Sequence, residues 1–249
     1  MSLLSGANLL AASGETQLAL PSFDVAGGNI DMLHAIGREL ARSQTCAFLA
    51  STPASIQDYY GYRHFVSSIR EMAAHYKVHV AAHLDHATSF EDIAAAIDAG
   101  CTSIMVDGSK LPLAANIELT KSVVKKSHRA GASVEAELGV IGGKEDECIA
   151  ETAHAPSLKE SMQFIDMTHI DFFAPAIGTS HGFYSGPPGI DWKLARDLGS
   201  SFKIPLVLHG GTGLSDDTVR KLIRMNFRKI NYATGVRSCL LYTSPSPRD

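Results

Sequence analysis

Four cysteines in 249 residues (Cys46, Cys101, Cys148 and Cys239) are too few and too scattered for a disulfide framework. None stands in a CxxC pair of the kind a zinc knuckle needs, so they read as reduced thiols of a cytoplasmic protein. Neither sign of charge is in strong excess: 22 Lys and Arg against 26 Asp and Glu give a net charge of −4. Bulk electrostatics therefore offers no footing for nucleic acid or for an anionic membrane surface. No apolar run approaches the ~18 residues that a membrane span requires. The opening stretch MSLLSGANLLAASGE lacks the basic segment and the long apolar core of a secretion signal. No GxGxxG follows the first apolar run, which weakens the case for a dinucleotide-binding sheet.

What is present is a regular alternation. The residues are 45% hydrophobic, enough for one large domain that packs without a structural metal or disulfides. Strands are predicted at 18–23, 45–50, 78–84, 103–107, 133–138, 172–177, 205–210 and 229–233. Amphipathic helical patterns lie between them, at 29–43, 89–100, 113–131, 157–168 and 215–226. Ser89 and Ser215 stand where N-caps belong, with carboxylates in the following turn, and Gly100 and Gly131 stand where C-caps belong. Strands separated by single helices imply right-handed crossovers and a parallel sheet. Eight of them predict a (β/α)8 barrel spanning residues 1–237 as one domain.

In such barrels chemistry gathers at the C-terminal ends of the strands. The polar residues fall there: Asp24, Ser51, His83, Asp85 and His86, Asp107, Glu135 and Glu137, the run IGTSH to His181, His209 and Asn231. Of 11 histidines, only His86, His181 and His209 each end a different strand and precede a small residue. Three imidazoles converging on one mouth, with a coordination position left open, suit a catalytic metal. Glu135 and Glu137, two apart on a strand, share a side. With Asp107 they could offer a second cation position, orient the histidines, or form rim ion pairs with Lys110 or Lys144. Asp85 is adjacent to His86 on the strand, so their side chains diverge, and Asp85 is better placed as an acid/base facing substrate. His83 remains open between supporting the site and a purely structural role. HGGTG at 209–213, a second HG at 181–182, and NYAT at 231–234 ahead of the last helix suit a phosphate: glycines expose N–H groups, and Thr212 adds a hydroxyl.

The segments HLDHATSFEDIAAAIDAGCTSIMVDGSKLP, SVEAELGVIGGKED, AIGTSHGFYSG, PLVLHGGTGL and KINYAT together resemble the class II, zinc-dependent ketose-bisphosphate aldolases of the tagatose- and fructose-bisphosphate type. The likeness runs from about Leu4 to Arg237. It implies reversible cleavage of a phosphorylated ketose to dihydroxyacetone phosphate and an aldehyde through a zinc-stabilised enediolate. It implies zinc on His86, His181 and His209, with Asp107 and Glu137 holding or supporting an alternative zinc position. Asp85 falls on the acid/base for the C4 hydroxyl, and Glu145, in a glycine-rich loop, on a carboxylate that moves a proton at C3. Gly182, Gly210, Gly211, Thr212, Asn231 and Thr234 fall on the phosphate-binding groups, and Ser51 is a further candidate. Carbonyls near Gly182 and Gly210 match those holding a monovalent cation, Na+ or K+. Relatives also imply a homo-oligomer, a dimer or tetramer, with no nucleic-acid or membrane partner.

The chain departs from that pattern in places. Ser185 replaces a lysine, Asp24 an asparagine, Ala233 an aspartate, and Lys144 an acidic or neutral residue, which leaves the sugar unassigned; a deoxy-keto-sugar phosphate and an impaired sugar-phosphate-binding homologue are the alternatives. A barrel metallohydrolase would show an HxH pair on the first strand, and PSFDV has none. Residues 238–249, SCLLYTSPSPRD, show no helical period and resemble a translated sequencing adapter; they read as a non-native or disordered tail standing in place of the final helix.

Overall fold

Eight apolar runs that alternate with amphipathic helices can bury both faces of a parallel sheet if the sheet closes on itself and the helices ring it. The computed structural model has that form. It describes residues 3–13, 18–145, 148–150 and 154–243, with backbone alone at 144, 145, 148–150 and 240–243. In chain order the elements are α1 (Gly6–Ala12), β1 (Leu20–Asp24), α2 (Ile30–Ser43), β2 (Ala47–Ser51), α3 (Pro53–Tyr59), α4 (Gly61–Tyr76), β3 (Val80–Ala87), α5 (Phe90–Ala99), β4 (Ser103–Val106) and α6 (Leu113–Arg129). They continue as β5 (Ser133–Leu138), β6 (Gly142–Glu145), β7 (Cys148–Ala150), α7 (Leu158–Thr168), β8 (Phe172–Pro175), β9 (Ser180–His181), α8 (Trp192–Ser201), β10 (Leu206–Leu208), α9 (Asp216–Ile223), β11 (Phe227–Tyr232) and α10 (Thr234–Thr243).

The barrel closes in the order β1-β11-β10-β8-β5-β4-β3-β2, with every neighbouring pair parallel. This is the architecture the alternating pattern predicts. Strand β5 occupies the expected residues and the others shift slightly at their ends. Ser89 and Ser215 accept from the N–H groups of Asp92 and Thr218 as N-caps, and Gly100 caps α5 at φ +99°. At the end of α6 the cap residue is Ala130, and Gly131 follows it at φ +76°.

Period-two alternation sorts the strand residues into two cores. Leu49, Val80, Ala82, Leu84, Ile104, Val134 and Ala136 face the helices and join the larger cluster. Leu20, Phe48, Ala81, Phe172, Ala174 and Val207 face the barrel axis, where they meet Leu9 of α1. That short helix plugs the N-terminal end of the barrel. Leu4 N–H donates to the Val80 carbonyl at 3.0 Å and Ala7 N–H to Ser133 Oγ at 3.0 Å, both at strand starts.

Three features differ from the sequence reading. The segment after β5 is not a free glycine-rich loop: β6 pairs antiparallel with β7 and parallel with β9 in a small separate sheet. The helices α3 and α4 fill residues 53–76, which carried no assigned element. Helical backbone also runs through Thr243, six residues past Arg237, where the barrel's own helix was expected to stop. Leu240 and Leu241 are good helix formers, and the first proline comes only at position 245.

Among the described residues no helix is long and apolar enough to cross a membrane, and Cys46 and Cys101 are free thiols. Helix α7 begins with a reciprocal capping box: Ser157 Oγ accepts from Glu160 N–H at 3.2 Å, and Glu160 Oε2 accepts from Ser157 N–H at 2.9 Å. Ser157→Ala removes the first of these, and urea unfolding is expected to show a loss of about 1 kcal/mol.

Candidate active site

The same alternation that buries apolar groups at the bottom of the barrel sends charged ones inward near the top. His83 and Asp85 on β3, Glu135 and Glu137 on β5, and Lys229 and Asn231 on β11 each form a same-side pair, and all six are buried. Strict alternation would turn His86 the other way, toward the helices. It does not, because β3 carries a bulge: the register to β4 runs Leu84↔Ile104 and then Ala87↔Val106, and His86 adopts φ +46°. A non-glycine residue in that region costs on the order of 1 kcal/mol. The turn brings His86 into the barrel mouth beside Asp85, so the two adjacent side chains share one site after all.

His86, His181 and His209 form one buried group whose ring nitrogens lie within 4.8 Å of one another. Each of two rings is oriented from behind. His86 Nδ1 faces Asp107 Oδ2 at 2.9 Å, and His209 Nε2 faces Glu135 Oε1 at 2.9 Å. A neutral imidazole that donates through one nitrogen offers the other as a lone pair. His86 Nε2 and His209 Nδ1 then face each other at 3.1 Å. This is the carboxylate–histidine arrangement that accompanies bound metal.

The electrostatics fit a cation as well. Burial pushes His86 down, yet the charges of Asp85, Asp107 and Glu137 outweigh it and raise the ring well above its usual range. Burial and the His86 charge lower His181, and burial lowers His209. Glu137 is raised well above the carboxylate range by burial and the Asp107 charge, and its Oε2 is buried without a hydrogen bond. An acidic chamber with a carboxylate oxygen still unsatisfied suits a divalent ion held by the three rings, with Asp107 and Glu137 at its edge. Those two, with His86, form a second group of compatible spacing.

Asp85 sits below the rings. Burial pushes it up, but the His86 and Lys229 charges hold it well below the usual carboxylate range. Asn231 Nδ2 approaches both its oxygens, at 3.5 and 3.3 Å. Next to it His181, Gly182, Gly210, Gly211, Thr212, Asn231, Ala233 and Thr234 line a small, tight cleft. Seven of these eight residues are ones the sequence assigns to phosphate or metal. Gly210, at φ +70°, has no room for a side chain, since a Cβ would meet the Ser180 carbonyl. Its own carbonyl accepts from the Tyr184 hydroxyl at 2.8 Å, which ties the loop carrying Gly182 to the loop carrying Thr212.

Of the other assigned residues, one has a different hydrogen-bond partner and one lies outside the described side chains. Ser51 has the strand parity of Leu49 and its Oγ accepts from Gly27 N–H at 2.8 Å, so it is engaged in supporting the turn after β1 rather than lining the cleft. Glu145 ends β6, and its side chain lies outside the described residues. Asp24, one of the departures noted above, pairs with Arg237 Nη2 of α10 at 2.6 Å. Lys229 escaped the sequence reading, although its place two residues before Asn231 in a strand pointed it inward.

Residues 5–243 match the family described as Fructose-bisphosphate aldolase class-II, and the chain belongs to that family. It is accordingly an aldolase, a carbon–carbon lyase. It is 37% identical over 236 residues to the "Probable fructose-bisphosphate aldolase" of Bacillus subtilis (strain 168), covering 94% of this chain and 82% of that protein. It is 46% identical over 155 residues to a fructose-bisphosphate aldolase of Staphylococcus epidermidis, covering 62% of this chain and 54% of that protein. The crystal structure of the YdjI aldolase from Escherichia coli K12 superposes with a TM-score of 0.84 at 26% identity, covering 97% of this chain and 85% of that one.

Asp107→Asn keeps the shape beside His86 but removes the anionic acceptor. Divalent-metal affinity, read by competition with a chromophoric chelator, is expected to fall about 10- to 100-fold.

Proposed function

We propose that the chain reversibly cleaves a ketose 1,6-bisphosphate of the fructose or tagatose type to dihydroxyacetone phosphate and an aldehyde, using zinc on His86, His181 and His209. The observation that carries this reading is the meeting, at one end of the barrel, of the three-imidazole group, Asp85 and the glycine-lined cleft. When bound, zinc would supply Lewis-acid polarisation of the substrate carbonyl.

The chain's own groups do the rest. Gly182 and Gly210 offer backbone N–H groups to the phosphate of the three-carbon unit, while Gly211 N–H donates to the Asn231 carbonyl at 3.2 Å and holds the cleft wall in place. The hydroxyls of Thr212 and Thr234 and the N-terminus of α10 add to the cradle. Asp85 must be ionised to accept the C4 hydroxyl proton during cleavage, and its surroundings keep it so. Asn231 fixes its carboxylate through the amide. Glu145 is the residue we assign to proton movement at C3, and Asp107 and Glu137 to an alternative metal position or its support. The carbonyls near Gly182 and Gly210 are assigned to a monovalent cation, Na+ or K+, and the working protein to a dimer or tetramer.

A coupled assay for dihydroxyacetone phosphate tests the reading. Asp85→Asn is expected to lower kcat about 10²- to 10⁴-fold with zinc content unchanged. Chelation should abolish cleavage and added zinc restore it. Full activity in either condition would refute the assignment. Comparing the two C4 epimers of the ketose bisphosphate then identifies the sugar.

A further inference from the structure

Beneath the three-histidine group lies a second, deeper one. His83, Asp85 and Glu135 are all buried and each offers a ligand atom within 4.8 Å of the others. His83 Nε2 is 3.4 Å from Asp85 Oδ1 and 3.8 Å from Glu135 Oε2. By residue type and spacing this inner group would suit a divalent cation as well as the outer one.

A cation is already there. Lys229 is completely buried, and its Nζ lies 2.8 Å from Glu135 Oε2 and 3.3 Å from His83 Nε2. These are two of the three atoms a metal would use. An ion at the usual ligand distance of about 2.0–2.2 Å from both would overlap the ammonium. The third Lys229 contact is to Asn231 Oδ1 at 2.8 Å. It fixes which way the amide points, and so directs Nδ2 toward Asp85. Glu135 carries its other oxygen to His209. One ammonium thus reaches a metal-binding ring through Glu135 and the acid/base through Asn231.

We infer that Lys229 is a positioning residue that acts as a built-in cation: it fills the inner ligand group, confines metal to the outer one, and sets the orientation of Glu135 and Asn231. This rests on the outer group being the metal site, as proposed above. Its arrangement also keeps charge balanced without metal in the inner group, since a buried carboxylate stripped of its partner is strongly unfavourable.

The test counts metal in the whole protein. Wild-type protein titrated with zinc and analysed by atomic emission is expected to saturate at about one equivalent. Lys229→Met, which keeps the length but not the charge, should take up about two, the second weaker. With cobalt in place of zinc, the added ion should give a second set of visible bands. A change in fold alone would not produce these bands. A second equivalent in the wild type that persists in Glu137→Gln, and so lies outside the His86–Asp107–Glu137 group, would overturn the inference, and so would a single equivalent in folded Lys229→Met. If Lys229→Met does not fold, Lys229→Gln, which retains a donor without charge, carries the same count, and the wild-type titration decides in either case. A wild type that binds no zinc would instead refute the metal site itself, so the two failures are distinguishable.

Discussion

A closed barrel cuts its axis off from bulk water, so each ionisable group inside must find its partner there. The present chain meets that constraint in three tiers. Near the strand starts the axis is apolar, stopped by Leu9 and the rings of Phe48 and Phe172. One tier higher, Lys229 answers Glu135. Above them Asp85 and Asp107 are held below the usual carboxylate range beside the His86 ring, while burial and the Asp107 charge raise Glu137. Two ionised carboxylates among the imidazoles suit the mouth to a cation. Lys229, the one buried lysine among the described residues, balances the charge beneath them, and so the structure of the site follows from charge accounting along eight strands.

The imidazoles show how such accounting becomes geometry. Each of His86 and His209 has a carboxylate behind it, and the carboxylate decides which nitrogen is left facing the centre. Glu135 is itself held at about 2, because the Lys229 charge and the His209 hydrogen bond outweigh the upward push of burial. A neutral Glu135 would no longer fix the His209 tautomer. The orientation of an outer ring is therefore decided by a lysine that does not touch it.

Much of this was legible in the sequence. Strand spacing defined the barrel, the strand-end polar residues defined its mouth, and SVEAEL gave β5 to the residue. The remainder was hidden for physical reasons. Period-two alternation points His86 outward, and only a backbone bulge at φ +46° reverses it; nothing in HLDHA marks a bulge. Lys229 stands beside Arg228, and nothing local separates the buried cation from the other, because its partner Glu135 is remote in sequence. Residues 142–150 read as a loop because Gly142 and Gly143 weaken any strand signal. Their pairing depends on β9, which is only two residues long and has no pattern to read. Helix α1 is short and its plug function is a property of the closed barrel, not of its own sequence.

That small outer sheet joins two halves of the chain. Gly143 lies against His181 in register with β9, so closely that a Cβ there would meet the His181 carbonyl. The backbone that carries Glu145 and the backbone that carries His181 are therefore one mechanical unit. Anything that draws the β6–β7 hairpin inward also presses on His181, and by reciprocity whatever seats His181 restrains the hairpin. A shift of one segment is thus passed to the other through a contact whose fulcrum is a glycine.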